Sequence, residues 1–195
     1  TAARMSRRLE EAGRRASGAV LSDYGYGSVG KDSVAPLRRA MPASAPILVD
    51  SRHGLQHYRG ADALTPNEEE LEECAGQPLG DSAVLLDQAA TALRNETGCP
   101  MLLVTRGSQG MTLFRDGDPP VHIPVHGTDQ VADVTGAGDT VLATFSLALS
   151  SGATPLEAAL LANFAGGVVV MKMGTAVVTP EELRDAIASD RTILT

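Results

Sequence analysis

Apolar residues along this chain of 195 residues fall into two kinds of stretch that alternate. Short, nearly unbroken apolar runs stand at Ala19–Ser22, ending in Asp23, at Pro46–Asp50 and at Met101–Thr105. Runs of this length with no polar alternation read as strands buried on both faces. Ala61–Leu64 reads as a further short strand. Between the runs lie segments with apolar residues at helical spacing: 1–16, 33–41, 67–75 with Pro66 close to its start, and 82–97 with Gly98 as its C-cap. After a glycine turn, Gly110–Phe114 and Val121–Val125 read as a hairpin. Three more helices follow. One spans 138–151 and stops at Gly152. One opens at Thr154–Pro155, as N-cap and first residue, and runs through Ala162 toward Met171. The third opens at Thr179, where Glu182 completes a capping box. Strands alternating with helices predict one α/β domain over 1–195, three-layered, on a mostly parallel sheet flanked by helices, with the 110–125 hairpin appended.

Charge narrows the function classes. A formal net charge of −8 and 3% aromatic residues argue against nucleic acid, which calls for a basic stripe or stacking platforms. Arg4, Arg7, Arg8, Arg14 and Arg15 cluster, but Glu10 and Glu11 interleave, as on a solvated helix face. No apolar run is long enough to span a membrane, and residues 1–15 lack the apolar core of a secretory signal. The expectation is a cytoplasmic protein without a membrane partner. Cys74 and Cys99 have no metal spacing and read as free thiols. His53/His57 and His122/His126 are each four apart, but Pro124 breaks the second pair and the first lies in a loop, so no zinc site is expected. The chain opens at Thr1 in what reads as mid-helix, as a piece of a longer product would.

The chemistry concentrates at Asp133-Val-Thr-Gly-Ala-Gly-Asp139-Thr140. Glycines allow close backbone approach, and a helix starts here, so unpaired N–H groups and the positive end of the helix dipole face an incoming anion. Asp139 puts a base at the mouth of that cradle, as phosphoryl transfer to a hydroxyl requires. Three other segments fit the same chemistry. Asn67 and Glu70 stand three apart at a helix start, where they suit hydrated magnesium, although an acidic first turn favoured by the dipole reads the same way. Thr105-Arg-Gly107-Ser-Gln-Gly110 turns between strands and suits ATP phosphates or ribose, or is a plain hairpin turn. Asp50-Ser-Arg52 sets a cation beside an acid, to contact phosphate or to pair on the surface. A competing pattern, Gly25-x-Gly27-x-x-Gly30 with Asp50 twenty residues on, matches a nicotinamide-dinucleotide fingerprint. It nearly makes a P-loop too, but Asp32 occupies the magnesium-binding hydroxyl position.

Taken together these motifs resemble the PfkB carbohydrate kinase family, of ribokinase-like fold. Asp133, Thr135, Gly136, Ala137, Gly138 and Asp139 match its D-x-T-G-A-G-D signature in full. Asn67 and Glu70 match N-x-x-E, and Thr105, Gly107 and Gly110 match T-x-G-x-x-G. Val49–Arg52 and Ser22-Asp23-Tyr24-Gly25 look most like the heptose-7-phosphate kinase branch, with Tyr26 where that branch has a lysine for the substrate phosphate. The resemblance implies Asp139 as catalytic base and an anion hole at Gly136, Ala137 and Gly138. It implies ATP contacts at Thr105, Gly107, Gly110, Asn163 and Gly174, and substrate or phosphate contacts at Asp23, Arg52 and Asn67. Glu70 would hold Mg²⁺ through water. The partners implied are ATP, a small sugar and a second copy in a homodimer. It implies as well that the family's N-terminal third, with its small lid sheet, is missing here. A non-catalytic nucleotide-binding module and a nicotinamide-binding Rossmann protein are the competing classes.

Overall fold

The computed structural model describes residues 2–127 and 132–190. Six strands form one sheet in simple sequential order: β1 (Ala19–Asp23), β2 (Ile47–Ser51), β3 (Ala63–Leu64), β4 (Met101–Thr105), β5 (Met111–Arg115) and β6 (Val121–Ile123). The first four run parallel, and β5 and β6 return antiparallel, so the expected hairpin extends the same sheet. The helices are α1 (Ala2–Gly13), α2 (Val34–Ala40), α3 (Glu68–Ala75), α4 (Ala83–Thr97), α5 (Ala137–Ser150), α6 (Pro155–Val169) and α7 (Pro180–Ser189).

Strand alternation divides the interior into two cores. Ile47, Val49, Leu64, Leu102, Val104 and Phe114 pack with the α2, α3 and α4 side. Leu48, Ala63, Leu103, Leu113 and Ile123 point the other way, onto α5 and α6. Side chains alternate across a strand, so apolar residues at every position require cover on both faces, which is the three-layer arrangement expected. The second layer is rich in alanine, with Ala148, Ala158, Ala159 and Ala162 buried. Small side chains let α5 and α6 lie close against the sheet.

Two elements differ from expectation. The segment foreseen as a helix from Ser33 begins as a 3-10 turn over Lys31–Ser33, and α2 starts only at Val34, without a side-chain cap. The strand near 61–64 shrinks to two residues, because only Ala63 and Leu64 find partners on β2 and β3 carries a single pairing to β4. Among the described residues no helix is long and apolar enough to cross a membrane.

The parallel strands set up the site. All four end on the same sheet edge, bringing Asp23, Asp50, Thr65 and Thr105 together, and in open α/β sheets ligands bind at that edge. α3 and α5 both start there.

Candidate active site

A cleft of about 580 Å³ opens at this edge, with Asp50 near the end of β2 and Arg52 just after it, Asn67 and Glu70 at the start of α3, and Gly138 and Asp139 at the start of α5. Residues far apart in sequence thus share one cavity.

α5 begins in a way that leaves its first turn open. Gly136 is its N-cap at φ 78°, ψ 7°, a left-handed conformation that glycine adopts without penalty, and no side chain caps the helix. The Ala137 amide is already engaged, donating to the Val134 carbonyl at 3.1 Å. The Gly138 and Asp139 amides belong to the first turn and have no carbonyl four residues back within the helix. The loop before α5 is clamped by Asp133. Its Oδ1 accepts from the Thr135 amide at 2.9 Å, and its Oδ2 from the Gly174 amide at 3.0 Å. Those bonds, led by the one from the Thr135 side chain, hold the Asp133 carboxyl below the usual carboxylate range. The first aspartate of the signature therefore ties the α5 loop to the 172–176 loop.

α3 begins the opposite way. Asn67 Oδ1 accepts from the Glu70 amide at 2.8 Å, and Glu70 Oε2 accepts from the Asn67 amide at 2.9 Å, a reciprocal capping box. Asn67 also bridges to Thr105, whose amide donates to the Pro66 carbonyl at 3.0 Å, so the cap is fastened to the end of β4. Burial is the main cause that raises the Glu70 carboxyl above its ordinary value. The Asn67 amide opposes it, and the Asp50 charge adds to it.

Asp50 sits between these two helix starts. Thr65 Oγ1 donates to its Oδ1 at 3.3 Å. Burial raises its pKa, Thr65 lowers it, the charge of Asp139 raises it and Arg52 lowers it. The cleft is therefore a crowded acidic site tempered by one cation.

Two residues outside the expected set belong to this cleft. Tyr24, just past β1, donates to Asp139 Oδ1 at 2.7 Å and carries the Arg52 guanidinium over its ring at 5.2 Å. Asp50 was expected as half of an acid–cation pair or as the ribose acid of the nicotinamide pattern, and its place beside Asp139 and Glu70 depends on where β2 ends. Tyr24 had two sequence signals: it follows directly on a strand that ends in a carboxylate, and it stands in the Ser22–Gly25 run that resembles the heptose-7-phosphate kinase branch.

Other expected site residues do not line this cleft. Asp23 is tied down, accepting from the buried Tyr58 hydroxyl at 2.5 Å and from the Gly25 amide at 2.9 Å. Asn163 is buried in α6 and donates to the Pro124 carbonyl at 2.9 Å, fixing the chain after β6. Gly107 is exposed at φ 53° with open space beside it. Gly110 is glycine for a reason internal to the fold: a Cβ there would stand 2.1 Å from the Ile123 carbonyl oxygen. The nicotinamide fingerprint breaks down locally. Its loop runs into the 3-10 turn at Lys31, and Asp50, the ribose acid of that pattern, faces the Asp139 cleft. His53 does border the cleft, paired there with Glu73 at 3.0 Å, while His126 pairs with Asp190 at 3.1 Å. Cys74 and Cys99 are both free thiols.

Residues 31–182 match the family described as pfkB family carbohydrate kinase, and the chain belongs to that family. The bifunctional protein HldE of Aeromonas salmonicida is 42% identical over 173 residues, covering 88% of this chain and 36% of that protein. Its counterpart in Chromohalobacter salexigens is 43% identical over 188 residues, covering 96% and 39%. Among solved structures, Arabidopsis thaliana ribokinase complexed with ribose and ATP matches with a TM-score of 0.80 at 24% identity, over 93% of this chain and 59% of that one. Escherichia coli phosphofructokinase-2 in complex with potassium matches with a TM-score of 0.78 at 19% identity, over 94% and 61%. The fold is ribokinase-like. The chain spans roughly two-fifths of the length of the HldE proteins it matches.

Proposed function

We propose that this chain carries the nucleotide side and the catalytic base of an ATP-dependent carbohydrate kinase, which moves the γ-phosphoryl of MgATP to a sugar hydroxyl. One observation carries the reading. Asp139 lies in the uncapped first turn of α5, beside amides with no helix partner, on the cleft that Glu70 and Asn67 enter from α3.

Asp139 accepts the proton of the acceptor hydroxyl as its oxygen attacks the γ-phosphorus. The bond from that phosphorus to the bridging oxygen breaks, and ADP leaves. In a loose transition state little proton transfer is needed early, so a carboxylate of ordinary strength suffices. The Gly138 and Asp139 amides, at the positive end of the helix dipole, stabilise charge on the transferred group. Thr105 and Gly107 border the nucleotide, with Asn163 and Gly174 supporting the adenine side. Arg52 offers a cation to an anionic group of the substrate.

The donor set fits hydrated magnesium. Among the described residues no cluster of three or more His, Cys, Asp or Glu side chains forms a metal cage. Glu70 keeps Oε1 outside its cap and Asp50 keeps Oδ2 outside its bond to Thr65. Magnesium retains much of its water and takes one or two carboxylates together with phosphates. When bound, it neutralises charge on the phosphate oxygens.

For the acceptor we read a sugar of the heptose 7-phosphate kind, supported by the Ser22–Gly25 and Val49–Arg52 segments. Asp139→Asn tests the core of the proposal. Turnover should fall by about 10²–10⁴-fold, with MgATP affinity, read by calorimetry, changed little. A fall of less than about tenfold, roughly 1.4 kcal/mol of barrier, overturns the assignment of Asp139 as base.

A further inference from the structure

Asp139 has a partner for which the proposed reaction has no use. The Tyr24 hydroxyl reaches its Oδ1 at 2.7 Å from 115 residues away in sequence. Tyr24 is 40% exposed, so apolar burial does not fix its ring. Two polar contacts do. A phenol donating to a carboxylate is a charge-assisted hydrogen bond, and a guanidinium over a tyrosine face, here Arg52 at 5.2 Å, is attracted by the ring quadrupole.

The consequence falls on Asp139. Oδ1 is held, and Oδ2 receives no hydrogen bond among the described residues. A general base has to present one oxygen within hydrogen-bond reach of the proton it removes. An exposed aspartate at a helix start has several rotamers of similar energy, so without a second contact the position of that oxygen would wander. Asp50 repels the Asp139 charge from β2, and the donated phenol proton opposes that repulsion.

We propose that Tyr24 is a positioning residue for Asp139. Its hydroxyl holds Oδ1 so that Oδ2 is the oxygen offered to the acceptor, while Arg52 holds the phenol ring in place. The inference rests on Asp139 being the base in the proposed reaction. The groups facing Tyr24 are Asp139 from α5, Ser22 from β1, and Asp50 and Arg52 at the end of β2. The phenol titrates above its ordinary value, first because of the bond to Asp139 and then through burial.

The chain has three tyrosines and no tryptophan, so its near-ultraviolet tyrosinate band can be followed phenol by phenol. Tyr26 is 90% exposed, and Tyr58 is buried against Asp23 and pushed far up. In the unaltered chain the Tyr24 and Tyr58 phenols should both titrate above the ordinary value for tyrosine. Asp139→Asn should lower the Tyr24 step toward the ordinary value, and Tyr24→Phe combined with Asp139→Asn should remove that step altogether. If Asp139→Asn leaves Tyr24 where it was, the link does not exist and the proposal falls. In a sugar-kinase assay Tyr24→Phe should lower kcat about tenfold, the scale of one charge-assisted hydrogen bond, with the Kd for MgATP within twofold. An unchanged kcat also overturns it. Both replacements are close in shape to the originals, and circular dichroism reports whether the fold is kept. An Asp139→Asn variant that still turns over would refute the base assignment yet leave the titration result standing, so the two failures are separable.

Discussion

α3 and α5 start at the same sheet edge and face the same cleft, but their first turns are built on opposite principles. α3 closes on itself, with Asn67 and Glu70 exchanging hydrogen bonds between side chain and backbone. α6 and α7 are closed in the same manner from Thr154 and Thr179, and α4 is capped one way by the Ser82 hydroxyl, which accepts from the Leu85 amide. α5 starts from Gly136 with no side-chain cap. Capping is worth about 0.5–2 kcal/mol per helix, so leaving α5 uncapped gives up stability that its neighbours keep. Free amides and the dipole's positive end gain in exchange the ability to hold an anion. In the proposed reaction the contrast separates a helix start that serves the fold from one that serves a ligand.

The strongest way to break this contrast is to fill the open end. Gly136→Asp places a carboxylate in the cradle. Aspartate tolerates the left-handed region, and the nearest atom to its Cβ would be Thr175 Cγ2 at 3.8 Å, so the backbone should hold. Affinity for MgATP should fall about tenfold or more, equivalent to 1.4 kcal/mol, measured by calorimetry. Gly136→Asn, the same size without charge, should lose distinctly less. Equal losses would mean that shape at this position, and not charge, governs binding.

The converse change opens the closed end. Asn67→Ala removes the side-chain cap of α3 and leaves the Glu70 amide without its acceptor, while the backbone amide at 67 can still donate to Glu70 Oε2. The expected cost is about 1 kcal/mol in urea unfolding, which is smaller than the effect at Gly136 because only the helix is weakened. If MgATP affinity also drops tenfold, the Asn67 side chain contacts the nucleotide in addition to capping.

Much of this contrast was legible along the chain. The strands were plain because burial on both faces turns them into continuous apolar runs, as at Ile47–Val49 and Leu102–Val104. The caps at Thr154 and Thr179 were plain because a capping box is local. The spacing of Asn67 and Glu70 read as a metal-facing pair or as an acidic first turn favoured by the dipole, and the structure adds a reciprocal cap that neither reading named. What stayed hidden depended on distant chain. The contact of Tyr24 with Asp139 needs β1 and α5 folded onto one edge, and the fit of Gly110 needs the Ile123 carbonyl beside it. Asp133 could be matched to a signature, but its clamp on Gly174 crosses 41 residues. Periodicity and spacing carry local geometry, while the acidic centre of the cleft arises only from strand register.

Asp50 joins the two helix starts through charge and gives the smallest expected effect. Its carboxyl is raised above the ordinary value, mainly by burial and further by the Asp139 charge. The folded chain therefore binds a proton at Asp50 more tightly than the unfolded chain does. Between the unfolded and the raised folded value the native state holds more protons, so this group's contribution to stability falls as pH rises through that window. The loss is complete above it and persists at neutral pH. Asp50→Asn keeps an oxygen to accept from Thr65 but removes the charge. The variant should melt about a degree or two higher at pH 7, and the gain should vanish as pH falls well below about 4, where the folded and unfolded carboxyls both carry the proton. A variant that melts lower at pH 7 would instead mean that Asp50 is worth more as the counter-charge of Arg52 than it costs as a buried anion. The acidic centre would then be balanced in favour of the fold, and the open start of α5 would be the only part of the cleft that gives up stability for a ligand.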